Sequence, residues 1–326
     1  MLSKRALTVL PKQAVPSRLS CSLRLFSHSV KPLAYEVHEP PQRRTHELEK
    51  PILLLHGLFG SKANFRGVGK ALAHELGRYV YALDLRNHGE SPQHIRHDYL
   101  ALAEDVVDFI HEERLSQPTL IGHSMGAKTA MTVALHSPDL LADMIAVDNA
   151  PVAHILEDNF AGYIEGMHKV ESANVTRRSQ ADKILEEHEK VSGSGAPPAV
   201  LPMRLRRNSA NTITKSPVVR QFLLGNLDRL ESDGTLRFRI PLHILGQSWQ
   251  NLGHFPYDNP CETEFDKPAL FIRGTQSNYI TDDDLVPISQ FFPNFSLTDI
   301  DAGHWVISKQ PEAFTKAVVA FLQSSK

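Results

Sequence analysis

The sequence predicts an α/β fold: a mostly parallel sheet flanked by helices, with a helical insertion. Three observations lead there. Short unbroken apolar runs alternate with helical patterns along most of the chain. Between about residues 150 and 266 that alternation stops, helical patterns alone remain, and it then resumes. His56, Asp84, Ser124 and Asp148 all fall at or just past the carboxyl ends of the expected strands, which is where such sheets bind ligands.

The elements follow in order. "PILLLHG" (Pro51–Gly57) is continuously apolar, as a strand buried on both faces must be. In the next segment Phe65, Val68, Leu72 and Leu76 keep helical spacing, and Gly77 supplies a C-terminal stop. "YVYALDL" (Tyr79–Leu85) reads as a second strand. A helix with Leu102, Val106, Phe109 and Ile110 on one side follows it. "PTLIGHS" (118–124) is a third strand, "MGAKTAMTVALHSP" (125–138) a helix closed by Pro138, and "MIAVD" (Met144–Asp148) a fourth strand. The insertion carries three helical patterns, a break "SGSGAPP" and a basic patch "RLRR" at 204–207 that reads as solvated surface. "ALFIRG" (Ala269–Gly274), "FSLTDI" (Phe295–Ile300) and a final helix from Pro311 complete a domain spanning 33–325 with its cap at about 150–266.

Composition narrows the function. A net charge of −2 over 326 residues argues against nucleic acid as a partner. Cys21 and Cys261 make neither a disulfide framework nor a metal pair, which fits a reduced compartment. No run is apolar for long enough to span a membrane. Nothing suggests a metal or an organic cofactor; His94 and His97 lack ligand spacing and read as solvated. Residues 1–26 hold Lys4, Arg5, Lys12, Arg18 and Arg24, frequent serines and no acid. That is the composition of a mitochondrial transit peptide, and Arg24–Ser27 resembles a processing site, so a matrix location is expected. Oligomeric state is not legible.

The chemistry centres on "GHSMG" (Gly122–Gly126). G-x-S-x-G alone is a weak signal. Here a strand precedes it and a helix follows, and so tight a turn thrusts the serine hydroxyl out at the helix N-terminus. A serine hydroxyl needs a base. Among 17 histidines, His304 stands out, in a Gly-containing loop between the last strand and the last helix. The acid must orient the imidazole. Asp148 ends the strand beside that of Ser124 and can reach the same histidine, whereas Asp282, Asp283 and Asp284 read as a helix start or solvated charge. An oxyanion hole needs two N–H donors. Met125 supplies one, and the "HGLFGS" loop the other through Leu58, with Phe59 next to it. His56 reads as a structural side chain, and "DLRNHGES" (Asp84–Ser91) as shaping the same rim without a catalytic duty for His88.

HGLFGS, DLRNHGESP, GHSMGAK and AGHW, in this order, resemble the α/β-hydrolase superfamily. "GHSMGAKTAM" followed by "IAVDNAPV" is similar to one branch, which holds mitochondrial abhydrolase-domain proteins, small bacterial esterases and fungal ethanol acetyltransferases. That branch places its acid on the strand after the nucleophile's helix, so Ser124, Asp148 and His304 match its triad positions. Most of the superfamily carries the acid later, in an R-G-x-x-D pattern; here Ser277 stands in that place and is expected to support Asp148 by a hydrogen bond. The resemblance implies a serine-dependent ester or thioester hydrolase working through an acyl-enzyme on a small acyl ester or acyl-CoA. The alternatives are an alcohol acetyltransferase making ethyl acetate with the same residues and, third, a non-enzymatic binding protein, which the intact residue set disfavours.

Overall fold

The computed structural model of the chain describes residues 32–41, 50–153, 159–192 and 217–324. The leader, residues 193–198 of the Gly/Pro break and the basic patch at 204–207 lie outside the described residues. The elements are β1 (Tyr35–His38), β2 (Ile52–Leu55), α1 (Arg66–Leu76), β3 (Val80–Leu83), α2 (Tyr99–Glu112), β4 (Thr119–His123), α3 (Met125–His136) and β5 (Asp143–Val147). There follow α4 (Asn159–Ser172), α5 (Arg178–Ser192), α6 (Pro217–Leu224), β6 (Leu227–Arg229), β7 (Leu236–Phe238), α7 (Leu242–Gln247) and α8 (Trp249–Gly253). The chain closes with β8 (Ala269–Gly274), α9 (Leu285–Phe291), β9 (Phe295–Ile300), α10 (Val306–Lys309) and α11 (Pro311–Ser324).

The main sheet has the order β1-β3-β2-β4-β5-β8-β9, with β1 antiparallel and every other pair parallel. Burial explains why the central runs are unbroken. Leu53 and Leu55 point into one apolar cluster with Leu102, Val106 and Phe109 of α2 and Ala130 and Met131 of α3. Ile52 and Leu54 point into the opposite cluster with Val68 and Leu72 of α1 and Phe314 and Val318 of α11. Each such side chain contributes roughly 1.5–3 kcal/mol by leaving water, so neither face of the strand tolerates polarity. α1 stops where expected: Gly77 is its C-cap in the left-handed conformation, φ 67°.

The chain runs from β2 to β3 on one side and then returns to β4 on the other. The crevice between β2 and β4 is therefore the point where strand order reverses, the usual binding site of such sheets. The loop after β2 carries Leu58, and the turn after β4 carries Ser124.

Two elements were not expected. β1 is only four residues long, sits at the sheet edge and is half exposed, so it lacks the apolar run that marks a buried strand. The insertion is not purely helical: β6 and β7 form an antiparallel hairpin within it. Its helices and hairpin share one apolar cluster, including Met167, Leu185, Leu223 and Phe238, into which Phe59 from the β2–α1 loop also packs.

The tightest constraint lies where β4 becomes α3. A Cβ on Gly122 would overlap the Gly126 carbonyl oxygen, and a Cβ on Gly126 would overlap the Leu55 carbonyl oxygen. Both obstacles are backbone and cannot swing aside. Gly67 is the contrast: it lies in α1, exposed, with nothing within 4 Å of an added Cβ. Gly67→Ala should gain about 0.5–1 kcal/mol, and Gly122→Ala should lose more than that or fail to fold. Thermal unfolding of the two variants checks this; equal midpoints would refute the close-approach account.

Candidate active site

Ser124 is the first residue past β4 and the N-cap of α3, with φ 57° and ψ −116°. A non-glycine residue in that region is strained, and such strain persists only where surroundings enforce it. Here they do. Ser124 N–H donates to the Val147 carbonyl at 3.0 Å, the Asn149 side-chain amide donates to the Ser124 carbonyl at 3.2 Å, and Gly57 abuts it, since a Cβ there would sit 3.1 Å from the Ser124 Cβ.

The neighbouring strand repeats the device. Asp148 follows β5, also at positive φ (52°), with its N–H on the Ile272 carbonyl at 2.8 Å. Its carboxylate is fully buried. Oδ1 accepts from the Gly274 N–H at 3.1 Å; Oδ2 accepts from Ser277 Oγ at 2.5 Å and from His304 Nδ1 at 2.7 Å. Burial pushes this carboxyl's pKa up, but the bonds from His304, Ser277 and Gly274 outweigh it and hold the group below the ordinary carboxylate value.

His304 sits in the loop between β9 and α10. Because the carboxylate only accepts, Nδ1 bears the proton, and Nε2 accepts from Ser124 Oγ at 2.9 Å. The structure thus brings together Ser124, His304, Asp148 and Ser277, as expected from sequence, from loops after β4, β5, β8 and β9. Such a chain can take a proton from the hydroxyl onto the imidazole while the buried carboxylate balances the new charge.

The loop after β2 folds into a turn in which Gly60 N–H donates to the Gly57 carbonyl at 2.9 Å. The Phe59 N–H is committed to His88 Nε2 at 3.1 Å. Among the described residues the Leu58 N–H has no such bond, which leaves it available for an oxyanion beside Met125 at the start of α3. His56 is structural as expected: it donates from Nδ1 to the Gly57 carbonyl and accepts the Leu85 N–H.

Sequence reading missed His123 and Tyr279, and gave His88 no more than a place on the rim. His123 Nε2 donates to the His304 carbonyl at 2.7 Å and fixes that loop. Tyr279 stacks on the His304 ring at 4.1 Å. His88 supports the Leu58 loop. Only His88 and His123 carried a signal, as the histidines inside two motifs. One expectation is corrected: His97 is not solvated but 1% exposed, with its ring against the Asn87 amide. The loop that begins at Asp84 folds back over it, and loop burial leaves no periodic trace in a sequence. Asp282–Asp284 do start a helix, as a single turn leading into α9. Among the described residues no cluster of His, Cys, Asp or Glu could hold a metal, and no helix is long and apolar enough to cross a membrane.

The sequence model of the alpha/beta hydrolase fold matches residues 50–311. The chain is 36% identical to an sn-1-specific diacylglycerol lipase of Xenopus tropicalis, over 84% of this chain and 78% of that one. It is 35% identical to a probable alcohol acetyltransferase of Saccharomyces cerevisiae, over 89% and 83% of the respective chains. Among solved structures, a marine microorganism esterase superposes with a TM-score of 0.72 at 28% identity, covering 89% of this chain and 99% of that one.

The buried histidines make stability depend on pH. Burial pushes His56 and His88 down, and His97 down to about 4. Below the ordinary histidine value of 6.5 the unfolded chain takes up protons that the folded chain refuses. Stability is therefore complete above pH 6.5 and declines as pH falls from there toward 4. Denaturant unfolding across that range checks it; a flat profile would contradict neutral burial.

Proposed function

The chain belongs to the alpha/beta hydrolase fold family, and from that premise we propose that it is a serine-dependent carboxylic ester or thioester hydrolase. Ser124 Oγ attacks the acyl carbonyl as His304 Nε2 accepts its proton. Asp148 keeps the imidazole in the Nδ1–H form and offsets the imidazolium charge. The Leu58 and Met125 N–H groups receive the oxyanion as it develops, where preorganised donors act most strongly. The tetrahedral adduct collapses, the leaving alcohol or thiol takes the proton from His304, and an acyl group remains on Ser124. Water, deprotonated by His304, then attacks the acyl-enzyme and releases the acid.

One observation carries this reading: the unbroken path from Ser124 Oγ through His304 to Asp148, at 2.9 Å and 2.7 Å, which begins on a serine held at strained φ. Ser277, in the place where most of the superfamily carries its acid, adds a third donor to the Asp148 carboxylate. Likeness to a lipase and an esterase supports hydrolysis. Likeness to a probable alcohol acetyltransferase favours a second reading, in which ethanol intercepts the acyl-enzyme in place of water. The two differ only in the acceptor. The Arg- and Ser-rich leader supports a mitochondrial location for the activity.

With p-nitrophenyl acetate as substrate, Ser124→Ala should lower kcat at least about 1,000-fold and Asp148→Asn at least about 100-fold. Near-normal turnover in either variant would overturn the assignment. Acetyl-CoA with ethanol decides the acceptor: ethanol-dependent ethyl acetate supports transfer, and acetate alone supports hydrolysis.

A further inference from the structure

Phe59 occupies an unusual position. It is 2% exposed, it is not glycine, and its φ is 61°. It is the third residue of the Gly57–Gly60 turn, where a positive φ ordinarily calls for glycine or asparagine. Its side chain is anchored in the apolar cluster of the cap, so the backbone strain is not relieved by letting the residue swing out. Something must hold the peptide on both sides.

Two buried side chains do so. The Phe59 N–H donates to His88 Nε2 at 3.1 Å, and His88 is fixed in turn by donating from Nδ1 to the Arg86 carbonyl at 2.9 Å. On the other side, Asn226 Nδ2 donates to the Phe59 carbonyl at 2.9 Å. Asn226 is 4% exposed and lies just past α6, in the cap, 167 residues away in sequence. Its amide nitrogen also faces the Leu223 carbonyl, at 3.3 Å, so its orientation is set by two acceptors. α6 is itself braced against the site, because the Phe222 ring meets Trp305, the neighbour of His304, edge-on at 4.6 Å.

We infer that Asn226 is a positioning residue: the cap, through this one amide, holds the strained Phe59 peptide and thereby aims the adjacent Leu58 N–H at the oxyanion formed on Ser124. This rests on the reading of Leu58 as an oxyanion donor. Without the Asn226 bond the Phe59 carbonyl loses its buried partner, and the turn relaxes toward negative φ. The Leu58 N–H then drifts while Ser124, His304 and Asp148, held by their own bonds, stay in place. The ground state is bound as before, and the transition state is not.

The test compares the full-length wild type with Asn226→Leu, similar in shape but without a donor or a charge, on p-nitrophenyl acetate. Affinity for an alkyl trifluoromethyl ketone, which becomes a hemiketal oxyanion on a reactive serine, is measured in parallel. The expected result is a fall in kcat of about 10- to 100-fold with KM within about twofold, and a matching loss of ketone affinity. Asn226→Ala replaces the leucine variant if the latter does not fold. A folded variant with kcat within about twofold of wild type, or one whose loss falls on KM, would overturn the inference. Labelling of wild-type Ser124 by a fluorophosphonate separates the two levels: no label sinks the parent reading, while a labelled wild type with an indifferent Asn226 variant sinks this inference alone.

Discussion

The whole site depends on one backbone junction. α3 can begin directly against the end of β2 only because residues 122 and 126 lack a Cβ. That contact leaves no room for a longer connection, so the single residue between β4 and α3 must turn the chain by itself. Ser124 does so at φ 57°, and its hydroxyl is consequently fixed before any substrate arrives. Catalysis by positioning requires this, since a displacement of about 1 Å can cost about 100-fold in rate.

Electrostatics follow from the same sheet. Parallel strands place their carboxyl ends in a row, so Ser124, Asp148 and the Gly274 N–H lie side by side with no long side chains needed to bridge them. Asp148 is fully buried, which would ordinarily neutralise a carboxyl group. It stays charged because three donors converge on it, from β8, from the loop after β8 and from His304. A buried charge supported in this way is available to stabilise an imidazolium without solvent rearrangement. The histidines beneath the β2 loop play the opposite part. His56 and His88 remain neutral in their burial and serve as acceptors for the Leu85 and Phe59 N–H groups, which ties down the loop after β2.

Much of this was legible in the sequence, for identifiable reasons. Strands buried on both faces must be apolar nearly throughout, so β2, β4, β5 and β8 stand out as apolar runs, whereas β9, a partly exposed edge strand, was placed by the resumed alternation around it. The glycines around Ser124 stand out because nothing else fits. Asp148 and His304 could be found because strand ends and the loop before the last helix are where topology delivers side chains to a shared edge. What escaped was either short or long-range. β1 is four residues of a half-exposed edge, with no pattern to detect. The burial of His97 is set by how a loop folds back. Asn226 meets Phe59 across 167 residues, and His123 meets the His304 carbonyl across 181. Contacts at such separation are created by the assembled fold and have no local signature.

The central claim is that a preset hydroxyl at residue 124 becomes covalently acylated during turnover. Rapid acid quench followed by peptide mass mapping tests this most directly. With an activated acetyl ester in excess, one acetyl adduct should appear on the peptide containing Ser124 within the first turnover and disappear once substrate is exhausted. Sustained turnover with the adduct on another residue, or with that peptide never modified, would contradict the account.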